Sequence, residues 1–421
     1  MEKGVFKSSV PLPRLAYILL WFPKASETFI FQEVVDLWKL GLWLKVFTLY
    51  GPLPQDLSMK MQSVASQAER LGLPYLKSAL QDVFYWWVKR PSTTRWIFKT
   101  ALFCRGRSPE RQGESLWGAL CGCRLARRFL EERITHIHAP WACGPATAAW
   151  VASHLSGIPF SFTGRAHDVF TPDGLLPEKV RDAALVRCES RAVMRRLLAL
   201  TGEKNSKFRL TYNAVPLADS GPAPVPMQPP YQLLALGRLV GTKGFDFLIH
   251  ACKILQESGG DFYLTLAGDG PQGRRLKDLA RKLGLAQQIS FPGFIAYDRV
   301  AELFRRADIF IMPCAVLADG NRDGLPTVIL EALLHRLPVI ATDVAGIGEV
   351  IESGVTGLLI PQKDPQALAA AVWQLVRDRE AALQMAERGR RRVQQDFSPE
   401  TNHRLVSELF LQTGADRQSD N

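Results

Sequence analysis

Arg322-Asp323-Gly324-Leu325-Pro326-Thr327-Val328-Ile329-Leu330-Glu331-Ala332 is the stretch on which the reading of the chain turns. A polar loop, Ala318 to Asp323, runs into an apolar, helix-forming segment, Thr327 to Leu334. Gly324 has no Cβ, so backbone can come close to a ligand there. Pro326 suits the first turn of a helix, where its missing N–H costs nothing. The unpaired N–H groups and the dipole of such a helix start favour an anion. Glu331 stands eight positions after Asp323, a little over two helical turns. One acid can then face a sugar while the other reaches a ribose. Alone, the stretch could equally be a plain loop-to-helix junction with an acid answering the dipole. Its surroundings decide between the two.

Strands alternate with helices on both sides of it. Ile309 to Met312 precedes it and Pro338 to Ala341 follows, leading into Val344-Ala345-Gly346-Ile347-Gly348-Glu349. Upstream, Tyr231 to Leu236 is a strand, Phe245 to Gln256 a helix, Phe262 to Ala267 a strand and Arg274 to Leu283 a helix. This rhythm predicts a parallel sheet covered by helices on both faces. The loop after the first of these strands, Gly237-Arg238-Leu239-Val240-Gly241-Thr242-Lys243-Gly244, carries two cations and three glycines. Arg238 offers a fork of donors and Lys243 a point charge, a pairing suited to a diphosphate. No Gly-x-Gly-x-x-Gly fingerprint follows Leu236, so a dinucleotide site is not indicated. No Asp-x-Asp occurs, so no metal is expected. Charge neutralisation falls to Arg238, Lys243 and the helix start at Gly324.

The first half opens in the same style. Arg14 to Trp21 is a strand, Ser26 a helix cap, Phe29 to Leu40 a helix and Leu42 to Leu49 a strand. The alternation resumes with strands at Ile134 to Ala139 and Pro159 to Thr163, the latter running into Gly164-Arg165-Ala166-His167-Asp168. His167 and Asp168 lie at a strand's carboxyl end, where ligands of such sheets bind. His136 and His138 are read as structural. Between the two runs, residues 57–133 form a helical insertion rich in Trp and Arg. From Lys89 to Arg133 it holds 11 Lys+Arg against 4 Asp+Glu, most of the net +11 of the chain. Tyr85-Trp86-Trp87 beside Lys89-Arg90 reads either as an interfacial membrane helix or as packed core with solvated cations.

The segment 221–230 holds five prolines and is a domain boundary. The expected organisation is a domain over 1–220, the linker 221–230, a second domain over 231–396, a helix over 397–412 and a disordered tail over 413–421. A chain of 421 residues, 47% hydrophobic and 22% charged, suits such a two-domain globular protein. Seven Cys without a Cys-x-x-Cys pair argue against a disulfide framework or zinc site, and point to a reducing compartment. Leu15 to Phe22 is too short to span a bilayer and lacks a cleavage site, so a strand is expected and not a signal peptide. No nucleic-acid motif accompanies the basic charge, so no nucleic-acid partner is expected.

At this point the second half resembles the donor-binding domain of the family 4 glycosyltransferases, retaining enzymes of GT-B fold. The resemblance is carried by Gly237-Arg238-Leu239 with Lys243-Gly244, Gly268-Asp269-Gly270-Pro271, the pair Asp323 and Glu331, and Thr356-Gly357-Leu358-Leu359. The first half resembles a branch making exopolysaccharide or colanic-acid-like units, through Ser26-Glu27-Thr28-Phe29-Ile30 and Pro159-Phe160-Ser161-Phe162-Thr163. The resemblance implies an α/β GT-B fold, with two Rossmann-like domains facing across a cleft and the last helix crossing back to the first. It implies that Glu331 holds the nucleotide ribose and Asp323 the donor sugar. Arg238 and Lys243 would hold the diphosphate, helped by backbone around Gly324, Leu325, Pro326, Thr327, Gly346 and Ile347. The acceptor side would take Ser26, Glu27, Thr28, Asp168 and Asn213, with His167 or Arg165 at the reacting centre. Asp323 stands where the family more often has Glu, one methylene longer. The activity implied is metal-independent, retaining transfer from a nucleotide-diphosphate sugar, itself a substrate, so no cofactor is expected. The glycan acceptor would be lipid-linked, and the enzyme cytoplasmic, in peripheral contact with an anionic inner leaflet. The alternatives are a soluble acceptor or a non-catalytic GT-B scaffold.

Overall fold

The central strands of this chain are mostly short apolar runs closed by polar or glycine-rich residues, and parallel pairing buries both of their faces. The structure, a computed structural model, describes residues 13–51, 57–103, 109–203, 205–217 and 227–419. The first lobe is a seven-stranded sheet: β1 (Arg14–Leu19), β2 (Trp43–Thr48), β3 (Ala68–Arg70), β4 (His136–Ala139), β5 (Phe160–Gly164), β6 (Leu185–Cys188) and β7 (Phe208–Leu210). Its order is β3-β2-β1-β4-β5-β6-β7. The second lobe holds β8 (Tyr231–Leu236), β9 (Phe262–Ala267), β10 (Ile289–Ser290), β11 (Ile309–Met312), β12 (Val339–Thr342) and β13 (Leu358–Ile360). Their order is β10-β9-β8-β11-β12-β13. Pairing across both switch points is parallel, with Tyr17 opposite His138 between β1 and β4 and Phe310 opposite Leu234 between β11 and β8. The α/β expectation holds in both halves.

Strand order reverses between β1 and β4 in one lobe and between β8 and β11 in the other. In open parallel sheets a ligand crevice opens outside the carboxyl ends of the strands at such a point. The loops leaving those four strands are Leu20 to Glu27, Pro140 to Cys143, Gly237 to Gly244 and Pro313 to Pro326. All four contribute to a single cavity between the lobes.

The insertion folds as the helices Met59–Val64, Leu76–Lys89, Pro91–Phe103 and Pro109–Glu131, and it also contains β3. That strand was not foreseen, because Ala-Glu-Arg has no apolar period; it is held by pairing with the edge of β2. Tyr85, Trp86 and Trp87 do not share a face, since successive helical residues turn by about 100°. Trp86 is core, 1% exposed, and its indole N–H donates to the Cys123 carbonyl at 2.9 Å. Residues 221–226 of the proline-rich segment lie outside the described residues.

The last helix, Pro399–Ser419, returns to the first lobe. Val406 and Phe410 enter the core formed by β1, β2 and the helix Thr28–Lys39. His403 meets the Asp36 carboxylate at 2.9 Å. The helix continues through 413–419, where the sequence reading ends it. Its docked turns supply the nucleus, and extending a helix costs less than starting one.

Candidate active site

The cavity has a volume of about 670 Å³ and takes its walls from both lobes. From the second lobe come Arg238, Lys243, Asp323, Gly324, Leu325, Pro326, Thr327 and Glu331. From the first come Ser26, Glu27, Thr28, Arg165, His167, Asp168 and Asn213. Residues as far apart in sequence as Leu20 and Glu331 thus share one hollow. Gly346 and Ile347 are not on its wall. The Gly346 N–H is used on the Gly324 carbonyl at 3.1 Å, and Ile347 is fully buried with its N–H on Val344. These two support the Gly324 loop from behind.

The loop after β8 is pressed against the end of β11. Gly244 has φ +64°, and a Cβ there would stand 2.0 Å from the Pro313 carbonyl oxygen, so only glycine fits. The Gly268-Asp269-Gly270 turn braces the same loop, with the Leu239 N–H donating to the Asp269 carbonyl at 2.8 Å. Lys243 is thereby held with its ammonium 3.4 Å from the Asp323 carboxylate, which also accepts from Thr242 Oγ1 at 3.3 Å. Arg238 is exposed at the cavity wall and, among the described residues, has no carboxylate partner. Beside it begins the helix Thr327–Leu334, with Pro326 as its N-cap. The Thr327 and Val328 N–H groups have no acceptor among the described residues. Two cations and a helix start therefore face one space, a combination that stabilises a diphosphate.

The two acids differ. Asp323 is answered by Lys243, whereas the Glu331 carboxylate makes no hydrogen bond or ion pair among the described residues. Burial pushes the Glu331 carboxyl up to about 7, because nothing nearby favours its charge. A carboxylate left without a protein partner in a cavity suits a ligand that brings its own donors, such as a ribose diol.

On the facing wall, Arg165 and His167 have separate tasks. Arg165 is 2% exposed and its donors are used within the lobe. It bonds Pro140 O at 2.8 Å, Glu189 Oε2 at 3.0 Å and Asn213 Oδ1 at 2.7 Å, with its guanidinium over the Phe29 ring at 4.5 Å. His167 is exposed, and its Nδ1 lies 3.2 Å from Asn321 Oδ1 of the other lobe. Asp168 is buried and accepts from the Ala142 N–H at 2.7 Å; burial pushes its carboxyl up to about 6. Glu27, and not Ser26, is the N-cap of the Thr28–Lys39 helix, and no side chain caps it. Glu27 instead ties Lys24 at 2.7 Å to the Trp141 indole at 3.3 Å, and Ser26 is left exposed.

Sequence reasoning missed Glu189, at the carboxyl end of β6. It accepts from Arg165, from the Ala166 N–H at 2.9 Å and from Asn213 at 3.2 Å. Across the cleft, a Cβ on Gly324 would come within 2.3 Å of Glu189 Oε1, so Gly324 serves the approach of the two lobes. An acid directly after a strand, next in line after Cys188, which pairs with Gly164, and so beside Arg165, was the available signal. Arg111, Glu114 and Trp141 also line the cavity and were missed. The first two come from the inserted Pro109–Glu131 helix, where nothing local marks them.

Known proteins resemble this chain in sequence over part of its length and in fold over nearly all of it. The family model for glycosyl transferases group 1 matches residues 224–392. Over 185 residues the chain is 35% identical to WcaL of Salmonella typhimurium, a glycosyltransferase named for colanic acid biosynthesis, covering 44% of this chain and 45% of that protein. Over 181 residues it is 32% identical to AmsK of Erwinia amylovora, an amylovoran biosynthesis glycosyltransferase, covering 43% of this chain and 44% of that one. The chain spans about half the length of the curated relatives it matches. Among solved structures, HepE of Anabaena in complex with UDP and glucose superposes with a TM-score of 0.68 at 17% identity, over 94% of this chain and 99% of that one. Sucrose-phosphate synthase of Thermosynechococcus elongatus gives a TM-score of 0.72 at 20% identity, over 96% and 100%. Residues 224–392 thus match the glycosyl transferases group 1 model, within a chain whose fold is GT-B.

Proposed function

We propose that the chain is a glycosyltransferase of exopolysaccharide assembly, metal-independent and retaining, that moves a sugar from a nucleotide-diphosphate donor to a glycan acceptor. The observation that carries this reading is the convergence of Arg238, Lys243, Asp323 and Glu331 on one cavity, with His167 and Asp168 facing them. Glu331 takes the ribose hydroxyls, and Asp323 takes hydroxyls of the donor sugar. Arg238, Lys243 and the Thr327 helix start take the diphosphate. As the bond from the anomeric carbon to the diphosphate oxygen breaks, negative charge grows on that oxygen, and the two cations stabilise it. The acceptor hydroxyl attacks from the same face, and its proton passes to the departing phosphate. No enzyme nucleophile is needed. His167, exposed beside Asn321 of the other lobe, sits where the acceptor approaches.

The acceptor is read as lipid-linked and the enzyme as cytoplasmic, in peripheral contact with an anionic leaflet. The basic insertion supports this, because it both carries most of the excess charge and lends Arg111 and Glu114 to the cavity. No helix among the described residues is long and apolar enough to cross a membrane.

The test is a thermal-shift screen against UDP- and GDP-linked sugars, followed by transfer assays. A donor at about 100 times its Kd should stabilise the fold by about 2.7 kcal/mol. Arg238→Ala and Lys243→Ala should each lower kcat by about 10²–10³-fold. If no sugar nucleotide shifts the unfolding midpoint, or transfer survives both substitutions, the reading is wrong.

A further inference from the structure

The helix Leu76–Lys89 buries an acid in the core and exposes a row of apolar side chains. Its inward face holds Ala79, Trp86 and the carboxylate of Asp82, which is 1% exposed. Asp82 is fixed by Arg124 at 3.0 Å and Arg127 at 2.6 Å, both from the Pro109–Glu131 helix. Its outward face holds Leu76, Leu80, Phe84, Trp87 and Val88, and Leu73 continues the row before the helix begins. Leu80 is 52% exposed, Phe84 71% and Val88 67%. Positions 76, 80, 84 and 88 recur every fourth residue, so they form one continuous stripe along the helix. Folding has thus buried this helix's only acid beside Ala79 and Trp86 and left Leu76, Leu80, Phe84, Trp87 and Val88 exposed. Scattered exposed apolar side chains are ordinary, but a contiguous row on one element marks a contact surface.

The charge around the stripe says what covers it. Lys77, Lys89, Arg90, Arg95 and Lys99 are all exposed on this helix and the next. From Leu73 to Phe103 the only acid is Asp82, and it is buried. A second copy of the chain docking through the same face would bring like charges together. An anionic bilayer surface meets both features, taking apolar side chains at the headgroup boundary and cations among the phosphates.

We propose that the outward face of the Leu76–Lys89 helix is a docking site for anionic phospholipid, with Leu76, Leu80, Phe84 and Val88 as the inserted row and Lys77, Lys89, Arg90, Arg95 and Lys99 as its electrostatic rim. The residues differ from the Tyr85-Trp86-Trp87 run that the sequence suggests, since Trp86 points into the core. The site lies on the same helical layer that sends Arg111 and Glu114 to the cavity, so a lipid-linked acceptor would be presented next to the bilayer from which it comes. The lipid site takes its purpose from the transfer reading, and the two are tested separately.

The full chain is sedimented with vesicles of phosphatidylglycerol and phosphatidylethanolamine, and with vesicles of phosphatidylcholine alone. Wild-type protein should pellet with the anionic vesicles and remain largely in solution with the neutral ones. Raising the salt from about 0.1 M to about 1 M shortens the Debye length from about 10 Å to about 3 Å and should weaken the anionic binding. The double variant Leu80→Glu with Phe84→Glu should lower anionic-vesicle partitioning at least tenfold. Its circular dichroism and its thermal shift with a sugar nucleotide should match wild type. Tyr263→Glu, at an exposed aromatic of the other lobe, should leave partitioning unchanged. Equal pelleting of the double variant, or no pelleting of wild type at low salt, overturns the proposal. So does a wild-type dimer that the double variant converts to monomer while vesicle binding stays the same, because the face would then join two copies of the chain. Loss of vesicle binding with the sugar-nucleotide shift intact supports the lipid site whatever becomes of the transfer reading.

Discussion

Asp323 and Glu331 are two acids on one short stretch whose surroundings give them opposite chemistry. Asp323 sits beside the Lys243 ammonium, whereas Glu331 has only burial, which lifts it to about 7. To accept hydrogen bonds from a ribose, Glu331 must be ionised, so donor affinity should rise with pH through neutrality. With a carboxyl titrating at about 7, apparent donor affinity at pH 6 should be about fivefold weaker than at pH 7. A titration of Kd against pH checks this, and a flat profile from pH 5.5 to 8 would contradict it. The stability effect has the opposite sense. The folded state holds the Glu331 proton more tightly than the unfolded chain does, so the group costs most once pH has risen past its folded value. Glu331→Gln should therefore abolish transfer and yet raise the unfolding midpoint at pH 8, the usual trade between a strained site and stability.

Among elements, the first lobe is pinned by a buried pair. Arg187 on β6 reaches Glu33 on the Thr28–Lys39 helix through two bonds of 3.0 and 2.8 Å, and Tyr17 donates to the same carboxylate at 3.2 Å. The Arg187 guanidinium holds the Glu33 carboxyl far below the usual carboxylate range, against the burial that would raise it. Arg187→Ala should destabilise the protein by about 3–5 kcal/mol, because it strands a buried charge. Replacing both partners by Met and Leu should recover most of that loss. Denaturant titration of the single and double variants distinguishes the two outcomes. A depressed acid contributes stability that is full above its unfolded value near 4.5 and is lost as pH falls. Arg187→Ala should accordingly flatten the acid limb of a stability-against-pH curve. Neither residue is marked in the sequence: Glu33 reads as a polar position on an amphipathic helix, and the strand that carries Arg187, β6, was not foreseen. Short elements were equally hard to read, and β3 exists only because β2 offers an edge.

At the scale of the whole molecule, the lobes meet through a small set of polar contacts. Glu349, two residues beyond Ile347, accepts from the Arg191 and Ala192 N–H groups at 2.9 and 3.0 Å and from the Tyr212 hydroxyl at 3.0 Å. It thereby tops the N-terminus of the Arg191–Thr201 helix in the opposite lobe. Arg322 covers the Phe170 ring at 4.2 Å from its guanidinium, and Asn321 meets His167. Glu349→Ala should loosen this seam. Small-angle scattering should report a larger radius of gyration, and kcat should fall while donor affinity changes little, because the proposed donor contacts, Arg238, Lys243, Asp323 and Glu331, all lie on the second lobe. An unchanged radius with unchanged kcat would show that the lobes close without Glu349.

The sequence by itself determined the alternation of strands and helices, the division into two α/β units, and the run of Arg238, Lys243, Asp323 and Glu331. Each of these is local: apolar periodicity, a loop rich in proline, or a charge next to a glycine at a strand's end. Only the tertiary structure decided that Arg165 is a buried brace and His167 an exposed cleft residue, two positions apart at the start of one short helix. It also decided that Glu189 faces Gly324, that an inserted helix supplies Arg111 and Glu114, and that the Leu76–Lys89 helix leaves a row of apolar side chains outward. The reason is physical. Periodicity tells which side chains share a face of their own element, but which neighbour or solvent that face meets is set by how distant elements pack, and no short window of sequence carries that.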